Sequence, residues 1–463
     1  MEIYRNFIGG AWVVSGGAGR VANVNPADVG DVIGETPLST AAEALAAAEA
    51  AAGAYRSWRR TAAGVRGAMV ARAARLMAER AEEIAAALTR EQGKLLREAR
   101  AEVRSAVELV ELAASQGRRP VHENLLSPLP ESLAYVVRQP LGVAVLFSSW
   151  LRPAADPAGQ LAAALAAGNS VVLVPSLATP ATAELVARCF ADAGAPAGVL
   201  NVVHGAASDL APPLVGQVAV RAVALGEDIA EARRAAVERG VPVWRAGGGA
   251  NPALVLDDAD LDRALAGVLA GAFGEAGQRR AATGRVILMH PVADAFLEKL
   301  VGALAALRLG PGAAEGAEMG PLASEARLRV VLDYVAEARA EGAELLCGGG
   351  REHEGGLARG LFVAPAVLDR CRPEMRAACA GVLGPVLAVT RVESFEEALA
   401  AAAPAAGCLS AAIYTRDAAR IFRFVDEIEV ADVRVNARAL GEEVRDGTLL
   451  DFFGEAKGVT VEY

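Results

Sequence analysis

Cysteine and histidine are scarce in this 463-residue chain. The five cysteines, Cys189, Cys347, Cys371, Cys379 and Cys408, are scattered and form no CxxC pair. The four histidines, His122, His204, His290 and His353, fall at no metal-ligand spacing. Neither a metal site nor a disulfide framework is expected, and a reducing cytoplasm suits this pattern. No basic tail or stripe is present, and 46 Lys+Arg against 56 Asp+Glu leave a net charge of -10, so nucleic acid is not an expected partner. The first residues, Met1 to Asn6, carry no apolar run of the kind a secretory leader needs. The uncharged stretch from Pro157 to Ala183 is divided by Gly168-Asn169, Pro175 and Pro180, which argues against a membrane span.

What is present is apolar residue, 53% of the chain, with alanine prominent. The length calls for two or three domains, and alanine favours helices because it loses no side-chain entropy. Residues 1–36 read as short strands and turns. Thr40 to Ala54 and Ala62 to Leu96 read as long helices, with Gly93 marking a break. Leu133 to Arg138 reads as an extended arm. From Gly142 onward, apolar runs such as Val143 to Phe147, Ser170 to Val174 and Val220 to Leu225 alternate with helical segments. A second such series follows the run Gly247 to Gly249 and includes Arg285 to Met289 and Val386 to Val392. Strands alternating with helices predict an α/β fold with parallel sheets covered on both faces.

Several segments resemble the aldehyde dehydrogenase superfamily. They are Pro140-Leu-Gly-Val-Ala-Val, Leu165-Ala-Ala-Gly-Asn-Ser-Val-Val-Leu173, Gly194-Ala-Pro-Ala-Gly-Val-Leu-Asn-Val-Val-His-Gly205, Asn251-Pro-Ala-Leu-Val-Leu-Asp-Asp-Ala-Asp-Leu-Asp262, Met319-Gly-Pro-Leu322 and Gly384-Pro-Val-Leu-Ala-Val389. They follow the family's order over most of residues 7–436. The resemblance implies two Rossmann-like parallel-sheet domains plus a small oligomerisation element. Residues 1–124 and 141–246 would form the ancestral NAD-binding domain and residues 247–430 the catalytic α/β domain. Residues 125–140 and 431–463 would form the arm and C-terminal strand that cross between subunits of a homodimer or tetramer.

The chemistry the resemblance implies needs a thiolate nucleophile, an oxyanion donor, a general base and a bound NAD or NADP. In Phe273-Gly-Glu-Ala-Gly-Gln-Arg-Arg-Ala-Ala-Thr-Gly-Arg-Val286, Arg280 stands at the nucleophile. A guanidinium stays protonated and offers no lone pair. Arg280 is expected to pair with a carboxylate or face solvent; the sharper alternative is an anion site made with Arg279. Leu151 in Ser149-Trp-Leu-Arg-Pro153 stands at the oxyanion donor and is expected to pack. Ala246 stands at the general base, beside Gly247 to Gly249, which reads better as a hinge than as a phosphate loop.

The cofactor positions differ in the same way. Val174 and Leu177 replace the residues that grip the adenosine ribose. The phosphate turn reads Ala224-Leu-Gly-Glu-Asp-Ile-Ala-Glu231, keeping Gly226 but placing Glu227 and Asp228 where they repel a pyrophosphate, with plain helix capping as their expected use. Gly381 stands at the nicotinamide-ribose glutamate and Leu383 at the usual aromatic. The family's Pro-Phe-Gly-Gly segment after Val435-Asn436 is missing.

These changes lead to the expectation of a catalytically inactive pseudoenzyme. It would bind no dinucleotide and act as a structural or regulatory subunit in a homo-oligomer, or in a hetero-oligomer with an active aldehyde dehydrogenase. Two alternatives stay open. One is an aldehyde oxidoreductase whose nucleophile has moved to Cys379, although a lone cysteine is more often a small core residue. The other is a carboxylate-binding protein using Arg152, Arg279 and Arg280.

Overall fold

Val143–Phe147 and Ser170–Val174 are buried at every position, as strands covered by helices on both faces must be. They lie at the middle of a seven-stranded sheet ordered Val243–Arg245, Val220–Leu225, Val143–Phe147, Ser170–Val174, Leu200–Val202, Asn6–Ile8, Ala11–Val13. The first five strands run parallel, and the hairpin at the N-terminal end adds two antiparallel ones. The computed structural model of the chain describes residues 2–118, 122–125, 131–245, 247–403, 408–438 and 448–462.

A second seven-stranded sheet is ordered Glu344–Cys347, Ala366–Asp369, Val386–Val392, Thr283–Met289, Asn251–Val255, Ser410–Tyr414, Asp432–Val435. All its pairs are parallel except the one made by the edge strand Glu344–Cys347. Two largely parallel α/β sheets are what the resemblance implied. A separate antiparallel sheet pairs Gly454–Glu462 with Ser132–Pro140, and Ser132–Pro140 with His122–Leu125. Its base is tied to the first sheet by Asn169, whose side-chain amide donates to the Phe453 carbonyl at 2.8 Å. No helix among the described residues is long and apolar enough to cross a membrane.

The helices follow local chemistry. Thr40 caps Ala41–Trp58 in a capping box with Glu43. Gly93, at φ +89, ends Ala81–Gln92 in the left-handed region, where a Cβ would lie 2.7 Å from Pro321. The long helix expected over Ala62 to Leu96 is divided once more: Ala63–Glu79 stops at Arg80, whose ψ is 15°. The alanine-rich periodicity runs through that residue unchanged, so the break has no signature in the pattern.

Asn251 knits the start of the second sheet. Its amide donates to the carbonyls of Gly249, Arg280 and Ala282, and its Oδ1 accepts from the amides of Leu409 and Ser410. Residues just before or at the starts of Asn251–Val255, Thr283–Met289 and Val386–Val392 share one crevice with residues just beyond the C-terminal ends of Val143–Phe147 and Val220–Leu225. The crevice beyond the carboxyl ends of parallel strands is where open α/β sheets bind ligands.

Candidate active site

A cleft of about 460 Å³ occupies that crevice. Trp150, Leu151, Gly226 to Asp228, Arg245 and Gly247 to Gly249 line it from the first sheet and the connection. Arg279, Arg280, Arg327, Tyr334, Arg376 and Gly381 to Leu383 line it from the second.

The segment that presents Arg279 and Arg280 is strained. Glu275 and Ala276 both sit at φ +55, a region costly for side-chain-bearing residues. Buried charge holds them there. The Lys94 ammonium lies 2.6 Å from the Glu275 carboxylate, pairs with Glu102, and donates to the Leu151 carbonyl at 3.1 Å. Glu98 accepts from the Glu275 amide at 2.9 Å. Glu102 accepts from the amides of Ala154 and Ala155, at the start of helix Ala155–Ala167. One ammonium thus ties both walls of the cleft together. Burial works against the charge on Glu275, yet Lys94 and Arg279 bring its carboxyl below the usual range.

Arg280 is 4% exposed. Its Nη2 lies 2.5 Å from Asp156 and donates to the Gly226 carbonyl at 2.7 Å. The expected carboxylate partner is therefore Asp156, across the cleft. Arg279 donates to the carbonyls of Ala270 and Gly271 at the end of helix Leu261–Phe273. Arg152 donates to the Ser105 hydroxyl and lies outside the cleft lining. Of the expected set Arg152, Arg279 and Arg280, the cleft lining includes Arg279 and Arg280.

Leu151 packs with Trp150 and Ala323, as leucine in that place must. Ala246 lies outside the described residues, as does the segment 439–447 where the family's tunnel motif is missing. Cys379 is exposed, and its thiol donates to the Pro373 carbonyl at 2.8 Å. It is not among the residues lining the cleft, although Gly381, two positions on, is.

Glu227 and Asp228 do not cap the following helix. Ala230–Glu238 starts at Ile229 without a side-chain cap. Glu227 instead turns into the cleft beside Ser176. Burial pushes its carboxyl up, against the pull of the Ser176 hydroxyl and Arg280. Gly226 is held by close approach, since a Cβ there would lie 2.7 Å from the Ser149 nitrogen. Val174 is buried, and Leu177 is half-buried. Neither offers a partner to a ribose hydroxyl, so these residues do not fit the family's ribose grip. Gly381 is packed against Ala250. Arg245, Arg327 and Arg376 went unnoticed in the sequence because they belong to no motif; only the fold brings them to one cleft.

The chain matches the Aldehyde dehydrogenase family over residues 12–454. It belongs to that family. It is 38% identical over 448 residues to the alpha-ketoglutaric semialdehyde dehydrogenase of Bacillus subtilis, covering 96% of this chain and 91% of that protein. To the alpha-ketoglutarate semialdehyde dehydrogenase of Haloferax volcanii it is 37% identical, over 95% of this chain and 92% of the relative. A crystal structure of betaine aldehyde dehydrogenase from Staphylococcus aureus, in complex with NAD+, superposes with a TM-score of 0.93 at 27% identity, covering 98% of this chain and 94% of that one.

These relatives overturn two expectations. Proteins this similar are named as dehydrogenases, which contradicts the reading as a pseudoenzyme. A structural relative holds NAD+, which contradicts the expectation of no dinucleotide.

Proposed function

We propose that the chain catalyses oxidoreduction of an aldehyde bearing a second, anionic group, with a nicotinamide dinucleotide as its redox partner. The observation that carries this reading is the arginine-lined cleft between the two sheets. The names of the relatives support it: they include a 3-sulfolactaldehyde dehydrogenase, malonate-semialdehyde dehydrogenases and a glutarate-semialdehyde dehydrogenase, at 32 to 33% identity. Each name denotes an aldehyde that also carries an acid group.

Arg280 has no lone pair with which to attack, so the oxygen would come from water: oxidised as its hydrate, the aldehyde would give hydride to the dinucleotide and a proton to a base, leaving as the carboxylic acid. Glu227 is the carboxyl that burial tunes toward proton exchange. With Val174 and Leu177 apolar, the dinucleotide's hold depends on contacts other than the family's ribose grip.

The test is reduction of NAD+ and NADP+ by purified protein with a panel of semialdehydes and neutral aldehydes of equal length. Turnover confined to the acid-bearing aldehydes is expected. No reduced dinucleotide with any aldehyde overturns the reading.

We read residues 1–124 and 141–246 as the dinucleotide-side domain, 247–430 as its partner and 125–140 with 431–463 as the assembly element. The strand Gly454–Glu462 is an exposed edge of its sheet, and unpaired edge groups favour pairing with another chain. A homo-oligomer follows, and a monomeric mass by light scattering at micromolar protein would remove it.

A further inference from the structure

We infer that Arg327 is the anion receptor of the cleft, taking an oxyanion that is either the acid group of the substrate or a phosphate of the dinucleotide. This rests on the proposed function and assigns its recognition to one residue.

Arg327 differs from its neighbours in having no carboxylate. Arg280 has Asp156, Arg245 has Asp228 at 3.8 Å, and Arg376 has Glu337. No ion pair with Arg327 occurs among the described residues. Its Nη2 donates to the Leu383 carbonyl at 3.0 Å, and its buried Nε has no acceptor among the described residues. Its guanidinium carbon sits 5.5 Å from the centre of the Trp150 ring. The surroundings add to the unmet demand. Trp150, Leu151 and Leu383 are apolar neighbours in the cleft. Burial lowers the guanidinium's pKa. A guanidinium taken partly out of water is costly until an anion meets it.

Two further features orient the ligand. Arg327 lies in the first turn of Glu325–Ala340, capped by Ser324, where the positive end of the helix adds to its own charge. Glu227 and Asp228 line the cleft from the other sheet and repel an anion from their side. An acid group held at Arg327 leaves the rest of a short substrate to extend toward Arg280 and Glu227.

The experiment titrates purified full-length protein with glutarate, standing for a substrate acid group, and with ADP, standing for the dinucleotide phosphates. Binding is read by Trp fluorescence and by melting temperature. The expected result is that at least one probe quenches fluorescence and raises the melting temperature, that Trp150→Phe removes the quench, and that Arg327→Met weakens binding about tenfold or more. Arg327→Lys should recover part of the affinity. Arg329→Met, on the same helix but exposed, should match the wild type. Binding of glutarate alone assigns the substrate's acid group, and binding of ADP alone assigns the phosphates. If neither probe binds, or if Arg327→Met binds both as the wild type does, the inference is overturned. Anion binding without turnover would leave Arg327 standing while removing the proposed reaction. Turnover with an unchanged KM in Arg327→Met would do the reverse.

Discussion

Arg280 and Asp156 form a buried ion pair across the cleft, 2.5 Å between Nη2 and Oδ2, with both side chains under 10% exposed. The pair joins the loop that enters the second sheet to the first turn of helix Ala155–Ala167. Nothing near either residue in the chain requires the other; they are 124 positions apart.

Removing one partner should cost more than removing both. Asp156→Ala leaves a buried guanidinium short of its counter-charge, a loss of about 3 kcal/mol or more. The double variant Asp156→Ala/Arg280→Met should recover a good part of that loss. Denaturant unfolding of the wild type, both single variants and the double variant checks this, and simple additivity would contradict it.

Ala276 should gain from becoming glycine. It sits at φ +55, where an L-residue pays about 1 kcal/mol or more that glycine does not. Ala276→Gly should therefore raise the melting temperature. Lys94→Met should lower it sharply, because it strips the counter-charge from Glu102 and Glu275 together. A lower melting temperature for Ala276→Gly would show that this turn is not under strain.

Glu91 sets a pH dependence of stability. Burial pushes its carboxyl up to about 7, although Thr182, Ala181 and Asn23 donate to it. The folded chain therefore holds this proton where the unfolded chain, with a pKa near 4.5, has released it. The contribution is present in full below the unfolded value and is lost as pH rises through about 7. Glu91→Gln should flatten the fall in stability across that window, as urea titrations at stepped pH would show. An unchanged slope would mean the carboxyl is already ionised there.

Cys379→Ser should leave any turnover of acid-bearing aldehydes within about twofold, an effect too small to reflect a lost nucleophile. The thiol bonds to the Pro373 carbonyl and lies off the cleft lining. A large loss of activity in that variant, with folding intact, would return the cysteine to the mechanism.

Much of the fold was legible because its signals are local. Val143–Phe147 and Ser170–Val174 read as buried strands from their apolar runs alone, and Gly93 announced a helix end. The site was legible only in part. That Arg280 needs an acid follows from its charge, but no local rule selects Asp156. Glu227 looked like a cap because it precedes a helix, yet Ile229 takes the cap position and the carboxylate turns to Ser176.

The sequence by itself determined the order of strands and helices, the family membership and the residue types at each inherited position, since periodicity and turn chemistry act over a few neighbours. Only the tertiary structure decided which arginines face one cleft, which of them already hold a carboxylate, and that Arg327 does not. Those facts depend on through-space distance between segments far apart in the chain, and electrostatic pairing responds to that distance and to burial rather than to position along the backbone.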